Sequence, residues 1–203
     1  MIVKSVDIGW VYYDTSEFAN IPDEEFDDDR FGKWMYFYRS DSDLSKIDSI
    51  AKYVVENDYV NGCKFTNPDR FDHDKFIAIC KNDGYNLMRK NHPNMSLEEY
   101  NMFFQMYSKD MLAILEEKYN AQMKSGGVMN FYLYIDDFER HKKILRYMID
   151  NGLINRCKDY SLHNISYKLN LQTRKGYYGK IFNGDLTLNK LIDLKTGEWI
   201  YKG

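Results

Sequence analysis

The chain has 203 residues, 44% of them apolar and 29% charged, with a net charge of −3. That length and apolar share suit one domain, or one domain with an insertion, and exclude a disordered polyelectrolyte. The near-neutral balance excludes whole-surface attraction to nucleic acid, while leaving room for a local basic patch.

Cys63, Cys80 and Cys157 are widely spaced and form no CxxC pair. An odd count without such pairs predicts free thiols rather than a disulfide framework or a zinc site. The opening Met1-Ile2-Val3-Lys4 lacks the charged and apolar regions of a secretory leader, and no stretch reaches the roughly 18 apolar residues of a membrane span. The expectation is a reducing cytoplasm and no membrane partner. The 18 tyrosines, with abundant Lys, Asn, Asp and Ile, have the composition of an A/T-rich genome.

Ile2 to Tyr13 is β-rich. An acidic loop follows over residues 14–30, carrying Glu24, Glu25, Asp27, Asp28 and Asp29; a run of like charge is read as a solvated segment. Phe31 to Arg39 (FGKWMYFYR) is a strand bounded by turn formers. Asp43 to Asn57 is a helix, with Leu44, Ile47, Ile50, Ala51, Val54 and Val55 on one face. Asn61-Gly62 marks a turn before a short strand, Cys63 to Thr66.

Asn67-Pro68-Asp69 then breaks the pattern, and residues 67–125 read as a helical insertion. Helices are expected over Asp72–Lys90 and, as one long element, over Ser96–Met123. Ser96 and Glu99 have the spacing of a capping box. The inward stripe of the second helix would be Tyr100, Phe104 or Phe103, Tyr107, Met111, Leu115 and Tyr119.

Ser125-Gly126-Gly127 closes the insertion, and Val128 to Ile135 (VMNFYLYI) is the next strand. Asp136-Asp137 caps a helix through Asp150, with Phe138, His141, Leu145, Met148 and Ile149 facing in and Asn151-Gly152 as the left-handed stop. Asn164 to Leu169 (NISYKL) reads as a strand, residues 170–185 as a Gly-rich basic loop, and Glu198 to Tyr201 as a last edge strand. Irregular alternation, without GxGxxG or Walker A, predicts an α+β fold. Its sheet is mixed or antiparallel, helices cover mainly one face, and residues 1–66 and 126–203 form the core domain around the 67–125 insertion.

The histidines His73, His92, His141 and His163 are isolated, so no metal site and no cofactor are expected. The best chemical constellation is basic. Lys168 follows Ser166-Tyr167, and Arg174, Lys175 and Lys180 lie in the next loop beside Gly176, Tyr177, Tyr178 and Gly179. Cations beside exposed backbone N–H groups suit a phosphate dianion.

The motifs FYLYIDD, NGLI and SYKLNLQTRKG within residues 128–179, together with FGKWMYFY at 31–38, resemble those of the phosphothreonine lyase effectors of pathogenic bacteria. The GKW strand and the QTR-x-G-x-YG loop also resemble those of small bacterial and phage proteins. The lyase resemblance implies β-elimination of phosphate from phosphothreonine. By position, Lys33 would be the general base, while Lys168, Arg174 and Lys124 would hold phosphate. Lys33, Lys168 and Arg174 are then expected to share one electropositive pocket that takes a phosphorylated peptide or protein.

One position departs from that pattern. Lys-x-His in the lyases is Lys33-Trp34-Met35 here, and a thioether has no proton to donate. A general acid contributes about 10²–10⁴-fold in rate, so the resemblance implies phosphate binding with little or no turnover unless His163 or a tyrosine substitutes.

Two other readings compete. One is an inhibitor or binding protein, borne by a phage or mobile element, that grips a host protein or nucleoprotein complex through the acidic loop and Tyr-rich surface. The other is a nucleotide pocket lined by Trp10, Trp34 or Trp199, since indoles stack on bases; alternation places Trp34 on the sheet face opposite Lys33.

Overall fold

The computed structural model describes residues 1–21, 28–106, 108–177, 184 and 186–202. Glu24, Glu25 and Asp27 of the acidic loop, Tyr107, and Tyr178, Gly179 and Lys180 of the basic loop lie outside the described residues.

Among the described residues, six strands form one sheet: β1 (Ile2–Val6), β2 (Trp10–Thr15), β3 (Phe31–Tyr38), β4 (Gly62–Thr66), β5 (Gly127–Tyr134) and β6 (Lys168–Leu169). The order is β1-β2-β4-β5-β3-β6, and every pairing is antiparallel. The fold is α+β. Two long helices, α1 (Leu44–Glu56) and α5 (Phe138–Asp150), supply the apolar stripes that cover one sheet face.

Side-chain alternation sorts each strand between the two faces. Trp34 and Tyr38 of β3, Cys63 and Phe65 of β4, and Met129, Phe131 and Leu133 of β5 enter the main core. They meet Ile47, Ile50, Ala51, Val54 and Val55 of α1 and Ile144, Leu145 and Met148 of α5. Fully burying an aliphatic side chain of this kind is worth about 1.5–3 kcal/mol, which locks the register of the central strands. Both helices start on aspartate caps: Asp43 accepts from Ser45 and Lys46 N–H, and Asp137 accepts from Arg140 N–H. Gly152 takes φ +68° just past α5, where glycine carries no Cβ penalty.

His141 sits in this core, fully buried. Trp34 Nε1–H donates to its Nδ1 at 2.9 Å, and its Nε2–H donates to the Ile135 carbonyl at 3.1 Å. Both ring nitrogens are used by the neutral imidazole, and burial pushes its pKa down to about 4. His141 is therefore a structural residue.

Among the described residues, 68–125 hold helices and no strand: a 3₁₀ turn (Pro68–Phe71), α2 (His73–Asn91), α3 (Leu97–Met106) and α4 (Ser108–Ser125). Phe76, Ile77, Tyr100, Phe104 and Leu115 form a second apolar cluster, apart from the main core. The Ser96–Glu99 capping box is made on both sides. The long helix expected over 96–123 is two elements, α3 and α4.

The C-terminal third departs most from expectation. The strand expected over 164–169 contracts to β6, because Ser166 bridges Thr187 and Tyr167 N–H donates to the Leu186 carbonyl. The start of the expected basic loop is a short helix, α6 (Asn170–Arg174), closed by Gln172 accepting from Leu169 N–H. A further turn of helix, α7 (Leu188–Leu191), follows. The expected edge strand at 198–201 reduces to one bridge, Ile192 with Trp199, and Tyr201 instead stacks on Phe138 at 4.1 Å.

Candidate functional site: a lysine-lined cavity on the open sheet face

The sheet face turned away from α1 and α5 is polar and aromatic. Alternation brings Lys33, Met35 and Phe37 to it from β3, Lys64 from β4, Val128, Asn130 and Tyr132 from β5, and Trp10 from β2. Lys168 of β6 and Thr173 of α6 close one side. Together they line a cavity of about 480 Å³.

Two short motifs set its geometry. A Cβ at Gly32 would lie 2.5 Å from the Lys168 carbonyl and 2.7 Å from the Tyr167 ring. The bare glycine lets Tyr167 cross β3 and donate its hydroxyl proton to the Leu133 carbonyl on β5. With Tyr167 held on the core side, Lys168 projects to the other face, and the register sets it directly opposite Lys33. GKW and SYK are thus two halves of one packing arrangement.

Lys33 is 6% exposed and Lys168 3%. Lys33 Nζ donates to Asn170 Oδ1 at 3.1 Å and Thr173 Oγ1 at 3.0 Å, and lies over the Tyr132 ring at 5.3 Å. Burial, then Lys64, then Lys168 push its pKa down to about 8, with Asp28 opposing. Lys64 is lowered by burial against the pull of Asp7 and Asp14, and Lys168 is lowered by burial. Lys64 Nζ also sits 4.5 Å over the Trp10 ring and close to the rings of Tyr12 and Tyr132. Burial raises Asp14, beside Lys64, to about 6.

The other expected site residues lie elsewhere. Arg174 forms an ion pair with Asp28 at 2.8 Å and does not line the cavity, so the expected trio is not assembled: α6 turns Arg174 back toward the segment before β3. Lys124 lines a separate depression beside Arg39 and Ser40. His163 lines a third with Tyr36 and Asn164. Met35 does line the lysine cavity. Sequence reasoning missed Lys64, Asn130 and Tyr132, whose signal was their place between core residues in CKFT and MNFYL.

A larger cleft of about 630 Å³ opens along α5. Its lining is balanced, with Lys142, Lys143 and Arg146 against Glu139, Asp150 and Glu198, so it exerts little net pull on an anion. Among the described residues the sheet cavity is lined by three lysines and no carboxylate. Among the described residues no group of His, Cys, Asp and Glu could hold a metal ion. No described helix is long and apolar enough to cross a membrane. Comparison with known protein families, curated proteins and solved structures gave no match.

Proposed function

We propose that this chain is a phosphate-binding protein of the phosphothreonine-lyase-like kind, with little or no turnover. The observation that carries this reading is the convergence of Lys33, Lys64 and Lys168 on one cavity whose lining, among the described residues, holds these three amines. Burial lowers all three amines, and Lys64 and Lys168 add to the lowering of Lys33; an oxyanion offsets that cost with charge-assisted hydrogen bonds. Met35 in the lining supplies bulk and no proton, so the position that holds the general acid in the lyases has no donor for the leaving phosphate here.

Calorimetry with a phosphothreonine peptide tests binding. Lys64→Ala and Lys168→Ala should each weaken it about 10-fold or more, the scale of one charge-assisted bond. The peptide should keep its phosphate after prolonged incubation. Absence of binding, or binding indifferent to both substitutions, overturns the reading; rapid loss of phosphate overturns the claim of weak turnover.

A second reading is favoured by a different surface. Leu87, Leu97, Met102, Met106 and Ile114 of the helical insertion are exposed, more apolar surface than solvated helices need. This suits an inhibitor or binding protein, carried by a phage or mobile element, that docks on a host protein or nucleoprotein. A folded Met106→Glu, Ile114→Glu variant should then lose the biological effect of the wild type while retaining phosphate binding. An unchanged effect counts against it.

A further inference from the structure

We propose that Lys33 is an imine-forming amine and that the cavity takes a small aldehyde or ketone carrying a phosphate group. This rests on the reading of the cavity as an anion site and adds a covalent chemistry to it.

A neutral lysine amine has two N–H bonds and one lone pair. Two acceptors stand at hydrogen-bond distance from Lys33 Nζ, Asn170 Oδ1 and Thr173 Oγ1. Both N–H bonds of the neutral amine are satisfied there, and the lone pair is the valence that these two acceptors leave unused. The remaining groups facing Lys33 are Lys64 from β4, Lys168 from β6, Tyr132 from β5 and Asp28 from the segment before β3. Two of those are cations, and burial acts with them to favour the neutral amine. With a pKa of about 8, about a quarter of Lys33 is neutral at pH 7.5, against about 0.1% for an ordinary lysine.

The cavity fits the rest of such a molecule. Its volume of about 480 Å³ lies within the usual range for small-ligand pockets. Trp10, Phe37, Val128 and Tyr132 give it apolar walls, while Lys64 and Lys168 give it anion partners beside the reacting amine. Asn130 is 4% exposed, lines the same space, and has no side-chain hydrogen bond within the described protein. Its amide is available to a ligand hydroxyl or carbonyl.

The step balances without an oxidant or a metal. The Nζ lone pair attacks the carbonyl carbon and gives a carbinolamine. Both amine hydrogens leave with the former carbonyl oxygen as water, and a C=N bond remains. The cations and apolar walls disfavour a charged amine before reaction, and an anionic tail on the carbonyl compound holds its carbon near Nζ.

Pyridoxal 5′-phosphate is a suitable probe, with pyridoxal as its phosphate-free counterpart. The full chain is mixed with one equivalent of either at pH 7.5, reduced with borohydride, and mapped by peptide mass spectrometry. Lys33 should carry most of the label, half-maximal labelling by pyridoxal should fall near pH 8, and Lys33→Arg should lose that label while leaving other lysines unchanged. Inorganic phosphate should suppress labelling by the phosphorylated probe at least 10-fold, by displacement, and should lower labelling by pyridoxal by a smaller factor, through protonation of Lys33. Label spread over exposed lysines, or placed on Lys64 or Lys168 with Lys33 unmodified, overturns the proposal. Equal labelling of Lys33 by both probes, untouched by phosphate, would uphold the amine chemistry and instead overturn the anion-site reading.

Discussion

Lys33 of β3 stands directly opposite Lys168 of β6, two like charges paired across an antiparallel ladder on the same face of the sheet. Like charges so placed destabilise a sheet, and here both are almost fully buried. Lys33→Met should therefore raise stability at pH 7 by about 1–2 kcal/mol; the shift to about pKa 8 corresponds to about 3 kcal/mol, part of which the two lost hydrogen bonds cancel. The sign with pH follows from linkage. The folded pKa lies below the unfolded one, so the unfolded chain binds more protons between about pH 8 and 10.5, and wild-type stability gains as pH rises through that window. The advantage of the variant should be full below pH 8 and shrink toward pH 10.5. Urea denaturation at a series of pH values checks this, and a constant gap would refute it.

Gly32 is the contact on which the Lys33–Lys168 pairing depends. A methyl group there would meet backbone at 2.5 Å and the Tyr167 ring at 2.7 Å, and a backbone carbonyl cannot swing aside as a flexible side chain can. Gly32→Ala should cost about 1–3 kcal/mol, the range for overpacking, and should weaken anion binding by displacing β6. Thermal denaturation and phosphate titration of the same variant measure the two effects. Loss of stability with unchanged binding would show that Lys168 is not positioned through this contact.

His141 makes an acid-side prediction. Its pKa is held at about 4 by burial, against 6.5 for a free imidazole, and Nδ1 must stay unprotonated to accept from Trp34. The folded pKa is below the unfolded one, so this stability is present above pH 6.5 and is lost as pH falls from 6.5 to 4. The loss should reach about 3 kcal/mol. His141→Gln keeps an acceptor for Trp34 and cannot titrate, so its stability should fall less over that interval. Parallel denaturation curves for the two proteins would exclude the assignment. Asp14, raised to about 6, acts in the opposite sense in both proteins and cancels in the comparison.

Much of the fold was legible because period-2 alternation and aspartate caps are local signals. The strands at 31–38 and 127–134, and the helices after Asp43 and Asp137, needed nothing beyond their own residues. The site was legible in part. Lys168 belongs to the basic constellation legible from residue 166 on, Lys33 enters through a resemblance, and their meeting depends on the β3–β6 register. Lys64 was not read, since only the strand order β4-β5-β3 places it on the same face within reach of Lys33. Arg174, a basic residue just after a strand, reads from the sequence as part of a loop and of the pocket. The turn of α6 and the Asp28 carboxylate hold it elsewhere. The NISYKL strand failed for a related reason, its backbone being claimed by the distant segment around Leu186.

That placement of Arg174 separates it from the lysines in a binding experiment. It is ion-paired and largely exposed, so Arg174→Ala should change phosphate affinity less than about 2-fold, in line with the small worth of exposed pairs. Lys64→Ala and Lys168→Ala should cost about 10-fold. An Arg174 effect as large as theirs would mean that the residue leaves Asp28 for the ligand.

Anion binding should finally be coupled to proton uptake. A dianion beside Lys33 opposes the repulsion from Lys64 and Lys168 and raises the Lys33 pKa from about 8 toward its ordinary 10.5. Near pH 8 about half of Lys33 is unprotonated, so binding should draw up to about 0.5 proton per site. At pH 6 the amine is already charged and uptake should vanish. Sulfate is the appropriate probe because it does not itself titrate in this range, so every proton taken up belongs to the protein. Calorimetry in buffers of different ionisation enthalpy reads the number directly, as the slope of observed enthalpy against buffer enthalpy. The slope should be near zero at pH 6, positive from pH 8 to 9.5, and absent in Lys33→Met. A slope that survives the substitution would assign the proton to Lys64 or Lys168. No slope at any pH would mean that the anion does not sense Lys33, and the cavity would lose its central residue.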